Sequence, residues 1–520
     1  MAEPQNRSYG QILKSSALIG GSSAFTMGLG IIRTKAMALL LGPAGVGILG
    51  LYVAISDLVR NLAGLGINSS GVRQIAEAVG SGDEEKIACT VTTLRRVALI
   101  SGIIGALILV GTAGLISKFT FENPSHTVAI ALLALVAFFG DISLAQGALV
   151  QGMRRIGDLA RMNILGALYG TIFGIGIVWF FKIKGLDPLK ALAPSLVCVA
   201  GMSIVTSWWY ARKIKVRAVN IPWSRVFDEA SALVKLGLIF MASGLATLGS
   251  AYLVRKIVLD GLGDKAAGYY QAAWGLSGLY IGFILQAMTA DFYPRLTGVA
   301  NNNEETNRLV NEQTEIGLLM AGPGILGTLT LAPLAILIFY TGDFAPAVEV
   351  LRWFCLGMLL KVVNWPMGFI ILARGERALF FWTEVLTNVL YVALVWAGIR
   401  TMGLRGVGVA FFALYAINLI AVYIIVRRLT GFRLSTANKQ ISLLFAPLVA
   451  VVFVLWYFLP PLTAISVGGV LAAIASVFSI RILCKLIPPD RLPRAAQKMF
   501  RILRLMPSNP KKKLNQLTTA

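Results

Sequence analysis

About fourteen runs of some twenty or more mostly apolar residues follow one another along this chain, separated by short polar turns. Nothing else in the sequence limits the fold so tightly. A hydrocarbon core about 30 Å thick is crossed by roughly 20 apolar residues as a helix, or by roughly 10 alternating residues as a barrel strand. These runs are too long and too uniformly apolar for barrel strands, and unpaired backbone cannot face lipid. The sequence therefore predicts an all-α integral membrane protein. The runs extend from 13–41 and 46–72, through 309–340, to 440–459 and 462–487. The first exceeds the apolar core of a cleavable leader, about 7–15 residues. Only 14% of the 520 residues are charged, against about 25% in soluble domains, as expected where lipid covers the outside.

The net charge of +23 is read as a topology signal rather than a nucleic-acid footprint, because the basic residues fall in alternate loops. One set holds Arg73, Lys86, Arg154, Arg155, Arg212, Lys213, Lys215, Arg217, Arg374, Arg377, Arg427 and Arg428; the other holds fewer. By the positive-inside rule both termini are cytoplasmic. Past the last run, 493–506 reads as a basic amphipathic helix on anionic membrane lipids. Cys89, Cys198, Cys355 and Cys484 are isolated, and the single histidine, His126, is expected to be a solvated loop residue. Neither metal-ligand spacing, a disulfide frame nor a histidine-based triad is indicated. No cofactor is called for, and outer loops this short argue against a membrane enzyme.

The chain also repeats itself. Leu41-Gly42-Pro43-Ala44-Gly45-Val46-Gly47 aligns without gaps on Leu262-Gly263-Asp264-Lys265-Ala266-Ala267-Gly268, and the same offset sets Lys35 on Lys256 and Asp83-Glu84 on Glu304-Glu305. Two pseudo-symmetric six-helix bundles follow, residues 1–212 and 225–430, then two additional helices in 437–487 and a basic tail, 488–520. The halves run parallel, an arrangement that in transporters surrounds a substrate site near the midplane.

Ionisable groups inside the membrane cost several kcal/mol unless they face water or a partner, so each is a functional candidate. Asp57 and Arg60 are placed near mid-depth, three residues apart and able to pair on one helix face. Lys361 and Asp141 are also deep, while Asp291 and Glu384 fall near inner ends, and Asn68, Asn163, Asn364 and Asn388 add groups suited to sugar hydroxyls. Arg33, Lys35, Arg255 and Lys256 sit in the outer third of the first and seventh runs, where topology disfavours cations. Snorkelling would explain them, but a cavity for an anionic group explains their recurrence in both halves. Guanidinium and ammonium groups are natural phosphate partners.

Ile31-Ile32-Arg33-Thr34-Lys35 with the Leu41–Gly47 motif, Gly66-Ile67-Asn68, Arg255-Lys256, Tyr270-Gln271, Tyr293-Pro294-Arg295-Leu296 and Ile371-Leu372-Ala373-Arg374 resemble the Wzx-type O-antigen translocases. These form the polysaccharide transporter family of the multidrug/oligosaccharidyl-lipid/polysaccharide exporter superfamily. The resemblance spans residues 10–430. It implies twelve to fourteen helices in two pseudo-symmetric bundles, and alternating access. The implied substrate is an undecaprenyl-pyrophosphate-linked glycan, such as an O-antigen repeat unit, flipped to the periplasmic leaflet of the bacterial inner membrane. It carries the cationic first-and-seventh-helix positions onto Arg33, Lys35, Arg255 and Lys256. It also implies a polysaccharide polymerase and a chain-length regulator as partners. Asp57, Arg60 and Lys361 enter the candidate site on depth alone, and Asp57, Asp141 or Asp291 are candidates for proton or sodium coupling. A multidrug exporter of the same superfamily is the alternative, although drug cations call for a less basic cavity.

Overall fold

Helices take up the apolar runs in the computed structural model, which describes the backbone of residues 3–64, 67–217, 219 and 222–486. Side chains are described for these residues except 3–19, 67–70, 223–240, 283, 286, 287 and 289–291. No strand occurs among the described residues, and the expected amphipathic segment 493–506 lies outside them. Among the described residues ten helices are long and apolar enough to cross a membrane, or eleven if one bent pair counts as a single span. That count takes Gly20–Ala63 as one stretch of 44 residues. Its interior break at Gly42 separates two of the expected runs.

Packing sorts the chain into two units. The first comprises Met1–Ala272, Ile336–Ala345 and Glu384–Arg400. It holds α1 (Glu3–Ala63), α2 (Ile67–Ser81), α3 (Glu84–Phe121), α4 (Thr127–Gly152), α5 (Ile156–Ile183), α6 (Leu192–Ala211) and α7 (Trp223–Leu262). The start of α8 (Asp264–Gly298), the end of α10 (Ala332–Phe339) and much of α12 (Arg377–Met402) belong to it too. Helix α3 packs on α4, α4 on α6, and α5 on both α1 and α6. Small residues permit this closeness, as in membrane helix packing generally: Gly166, Gly170 and Gly174 of α5 face Val199, Ser203 and Thr206 of α6. One core cluster gathers Leu51, Tyr52, Ile55, Leu109, Ile130 and Leu133.

In the second unit α9 (Asn303–Thr330) is central, contacting α11 (Ala347–Ala373), α14 (Thr436–Phe458) and α15 (Pro461–Leu486). Helix α13 (Leu404–Thr430) packs along α11. Aromatic rings fill that seam, with Phe354 and Phe411 centroids 4.8 Å apart.

Gly42 adopts φ 64°, ψ −173°, a region open essentially to glycine alone. Pro43 then starts the second part of α1, where its missing N–H costs nothing. Its repeat mate Gly263 adopts nearly the same conformation, φ 84°, ψ 177°, between α7 and α8. The acidic pairs of the repeat also have a local cause. Asp83 caps α3 by accepting from the Glu85 and Lys86 amides, and Asn302 caps α9 by accepting from Glu305. Glu84, Glu85, Glu304 and Glu305 then sit in first turns, favourably placed against the helix dipole.

Three expectations are corrected. The run 46–72 is not one helix: α1 ends at Ala63 and α2 begins at Ile67, so Arg60 occupies a last turn rather than mid-span. The run 309–340 is broken at Leu331, with a bend of 81° between α9 and α10. His126 is not a freely solvated loop residue; its ring stacks on Phe121 at 3.9 Å and its Nδ1 lies 2.8 Å from the Tyr52 hydroxyl.

Candidate functional site

Arg60 is the centre of the polar constellation in the first unit. Its Nη1 lies 3.6 Å from Asp57 Oδ1, an ion contact too long for a hydrogen bond. Three residues along a helix bring two side chains to one face, which accounts for the pairing. A second carboxylate comes from α4: Asp141, buried at 5% exposure, lies in the electrostatic field of Arg60. The guanidinium reaches α4 because residue 140 is glycine, where a β-carbon would stand 2.6 Å from Nε. Helix α7 approaches similarly at Gly244, where a β-carbon would meet Asn61 Nδ2 at 2.5 Å.

Asp57, Arg60, Asn61, Ser101, Asp141 and Leu248 line a cavity of about 260 Å³ between α1, α3, α4 and α7. Arg60 Nε, Asn61 Oδ1 and Asp141 Oδ2 are buried without a hydrogen-bond partner among the described residues. Each such orphan costs about 1–3 kcal/mol, so three on one cavity point to an occupant. That occupant must donate to two oxygens and accept from the guanidinium. Water meets both needs, at about 30 Å³ per molecule; so does a ligand carrying hydroxyls and an anionic oxygen.

The four outer cations are used differently. Arg255 donates from Nε to Gln271 Oε1 at 3.0 Å and from Nη1 to the Ala251 carbonyl at 2.7 Å. Its charge is also felt by Asp57. Lys256 is paired with Asp260 one turn on and lies 4.8 Å from the Phe119 ring. Lys35 donates to the main-chain carbonyls of Leu337, at 2.8 Å, and Tyr340, so it closes the C-terminal end of α10. Arg33 is half-buried, with no hydrogen bond or ion pair among the described residues. In the second unit Lys361 is half-buried, its Nζ 5.6 Å from the Tyr415 ring centroid. The side chain of Asp291 lies outside the described residues.

The two repeat motifs meet within the first unit. A β-carbon on Gly47 would stand 2.7 Å from the Asp264 carbonyl oxygen, and one on Gly268 would stand 1.9 Å from the Pro43 carbonyl oxygen. Gly47 and Gly268 are repeat mates, as are Pro43 and Asp264, so the contact is reciprocal. Next along, Gln271 packs its side chain onto its own mate, Gly50, while holding Arg255.

Sequence reasoning did not single out Asn61, Ser101 or Gly140, and it named Gln271 only within the Tyr270-Gln271 motif, not as a partner of Arg255. Gly140 directly before a deep aspartate was a usable signal, since a glycine beside a buried charge leaves room for a counter-charge. Ser101 offered none, being one of many small polar residues in apolar helices.

Residues 36–349 match the sequence model of a family described as polysaccharide biosynthesis protein. The lipid III flippase of Escherichia coli (strain K12) is 23% identical over 414 residues, covering 78% of this chain and 96% of that protein. The lipid III flippase of Shigella flexneri matches to the same extent. Among solved structures, an inward-facing MATE multidrug-resistance transporter of the MOP superfamily superposes with a TM-score of 0.66 at 15% identity, covering 81% of this chain and 96% of that one. The lipid II flippase MurJ, in an inward closed conformation, gives 0.63 at 15% identity, covering 89% and 98%. At such identities the structural likeness speaks for the fold alone.

Proposed function

We propose that this chain, which belongs to the polysaccharide biosynthesis protein family, is a flippase for a lipid-linked oligosaccharide. Its substrate in this reading is an undecaprenyl-pyrophosphate-linked glycan, such as an O-antigen repeat unit. The glycan passes from the cytoplasmic to the periplasmic leaflet of the bacterial inner membrane, with both termini of the chain cytoplasmic. Kinship with two lipid III flippases over 96% of their length supports the glycolipid substrate class.

The observation that carries the reading is the polar cavity around Arg60. A sugar pyrophosphate cannot cross hydrocarbon unaided, because burying its charge and hydroxyls without partners costs many kcal/mol. A cavity offering arginines to phosphate and amide or carboxylate oxygens to hydroxyls replaces the lost hydration. Arg60 and Arg255 are each accompanied by groups that hold them in place, and Arg33 has no partner among the described residues. Alternating access between halves 1–212 and 225–430 would move such a cavity from one leaflet to the other. In this reading a polysaccharide polymerase and a chain-length regulator are its partners. Asp57 and Asp141 are the proposed carriers of a coupling proton or sodium ion.

Multidrug export is the second reading, favoured by the likeness to MATE transporters and by two carboxylates in the cavity. The test is reconstitution into proteoliposomes with the pyrophosphate-linked oligosaccharide, following its exposure to a membrane-impermeant probe. Flipping by the wild type, lost in Arg60→Gln and in Arg33→Ala/Arg255→Ala, supports the proposal. A wild type that moves no glycolipid but exports organic cations overturns it in favour of drug export.

A further inference from the structure

A second cavity, of about 610 Å³, opens beside the Arg60 site at the end of the first unit where α6 stops. Arg95 of α3, Gln146 of α4, Trp208 of α6, and Arg212 and Lys215 beyond α6 line it together with Leu99. Among the described residues no acidic side chain lines it, and neither Arg95, Arg212 nor Lys215 has an ion-pair partner. Exposed cations at this end are expected from topology, and Arg95, Arg212 and Lys215 are all exposed, but topology requires neither a cavity nor a stacked guanidinium. Here both are present.

Arg212 is held by aromatic rings, its guanidinium carbon 3.7 Å from the Trp209 centroid and 4.6 Å from that of Trp208. Such stacking leaves the edge N–H groups free to donate. Past it, Ile214 is buried at 7% exposure in a core cluster with Ile75, Val91 and Leu94, and Val216 packs against the same cluster. Alternation then turns Lys215 outward. Ser207 donates to Gln146 Oε1 at 2.6 Å, which leaves the amide NH₂ for the cavity. Leu99 and Trp208 are 46% and 51% exposed, an apolar flank that suits acyl or prenyl chain. Ala98 and Ala145 line this cavity and the Arg60 cavity alike.

We propose that this cavity is a binding site for a lipid whose headgroup carries phosphate, held by Arg95, Arg212 and Lys215 one wall of small side chains from Arg60. The chemistry fits two sources, an anionic phospholipid and a polyprenyl phosphate. Binding at this place goes beyond the flippase reading and does not depend on transport.

Native mass spectrometry of the full chain, with phosphatidylglycerol and undecaprenyl phosphate as separate probes, tests it. Each basic side chain near an anionic headgroup contributes about fivefold in affinity. Arg95→Gln/Arg212→Gln is therefore expected to retain at least about tenfold less of one or both lipids. Loss of undecaprenyl phosphate alone identifies the carrier lipid as the ligand; loss of phosphatidylglycerol alone identifies a resident phospholipid. Lys215→Glu, an exposed change past the helix end, gives the same reading should the double variant fold poorly. Retention of both lipids at the wild-type level overturns the proposal, as does an equal loss in Arg427→Gln/Arg428→Gln, which removes two exposed cations far along the sequence.

Discussion

Arg60 lays its guanidinium over the bare α-carbon of Gly140, with Nε 2.6 Å from where a β-carbon would stand. The neighbouring residue is Asp141, so one glycine sets the approach of the cation to its second carboxylate. Gly140→Ala is expected to push Arg60 away, at an overpacking cost of about 1–3 kcal/mol. Glycolipid flipping in proteoliposomes should fall about tenfold or more, because misplaced charge loses its geometry before the fold is lost. Unchanged flipping would show that the Arg60 position is incidental.

The charge balance of that cavity predicts its pH response. Asp57 and Arg60 come from α1, Asp141 from α4, and Arg255 of α7 acts on Asp57, while α3 supplies only Ala98 and Ser101 to the lining. With both carboxylates ionised the two arginines are neutralised. Each proton taken up as pH falls leaves one positive charge uncompensated, so an anionic headgroup should bind more tightly on the acid side. Asp141→Asn removes one of these sites permanently. Binding of the pyrophosphate lipid should then be stronger at alkaline pH than in wild type, with a flatter profile. Isothermal titration across pH checks this, and identical profiles would exclude Asp141 as the titrating group.

Lys35 and Arg33 are neighbours in sequence with different work to do. Lys35 closes the end of α10 through the Leu337 and Tyr340 carbonyls, and charge-assisted bonds of this kind contribute about 1.5–3 kcal/mol each. Lys35→Met should therefore lower the unfolding temperature in detergent. Arg33→Gln should leave that temperature unchanged and reduce flipping. The reverse pattern would make Lys35 the substrate cation and Arg33 an anchor.

The helical membrane fold and the glycine turns were legible in the sequence because apolar length and glycine conformation are local properties. The Asp57–Arg60 contact was legible for the same reason, through helix spacing. Asp141 was flagged only by depth, and depth counting gives height along a helix, not the direction a side chain takes. Its closeness to Arg60 depends on α4 packing beside α1, which no local pattern encodes. Lys35 illustrates the same limit, since its carbonyl partners lie some three hundred residues away. The end of α1 at Ala63 was missed because the apolar composition continues past it into Gly66-Ile67.

The reciprocal contact of Gly47 with Asp264 and of Gly268 with Pro43 leaves no room for a side chain on either side. In the proposed orientation these turns lie at the periplasmic end, so the contact closes that end of the first unit. Gly268→Val places branched carbon where the Pro43 carbonyl oxygen stands, and backbone on both sides must separate. The expected result is an opened outer turn: a cysteine introduced at Ala44 should react several-fold faster with a membrane-impermeant maleimide than in the Gly268 background. Gly249→Ala is the control, because a β-carbon there meets nothing within 4 Å and should leave the rate unchanged. Equal labelling in all three backgrounds would mean that the glycine contact does not hold the outer end closed.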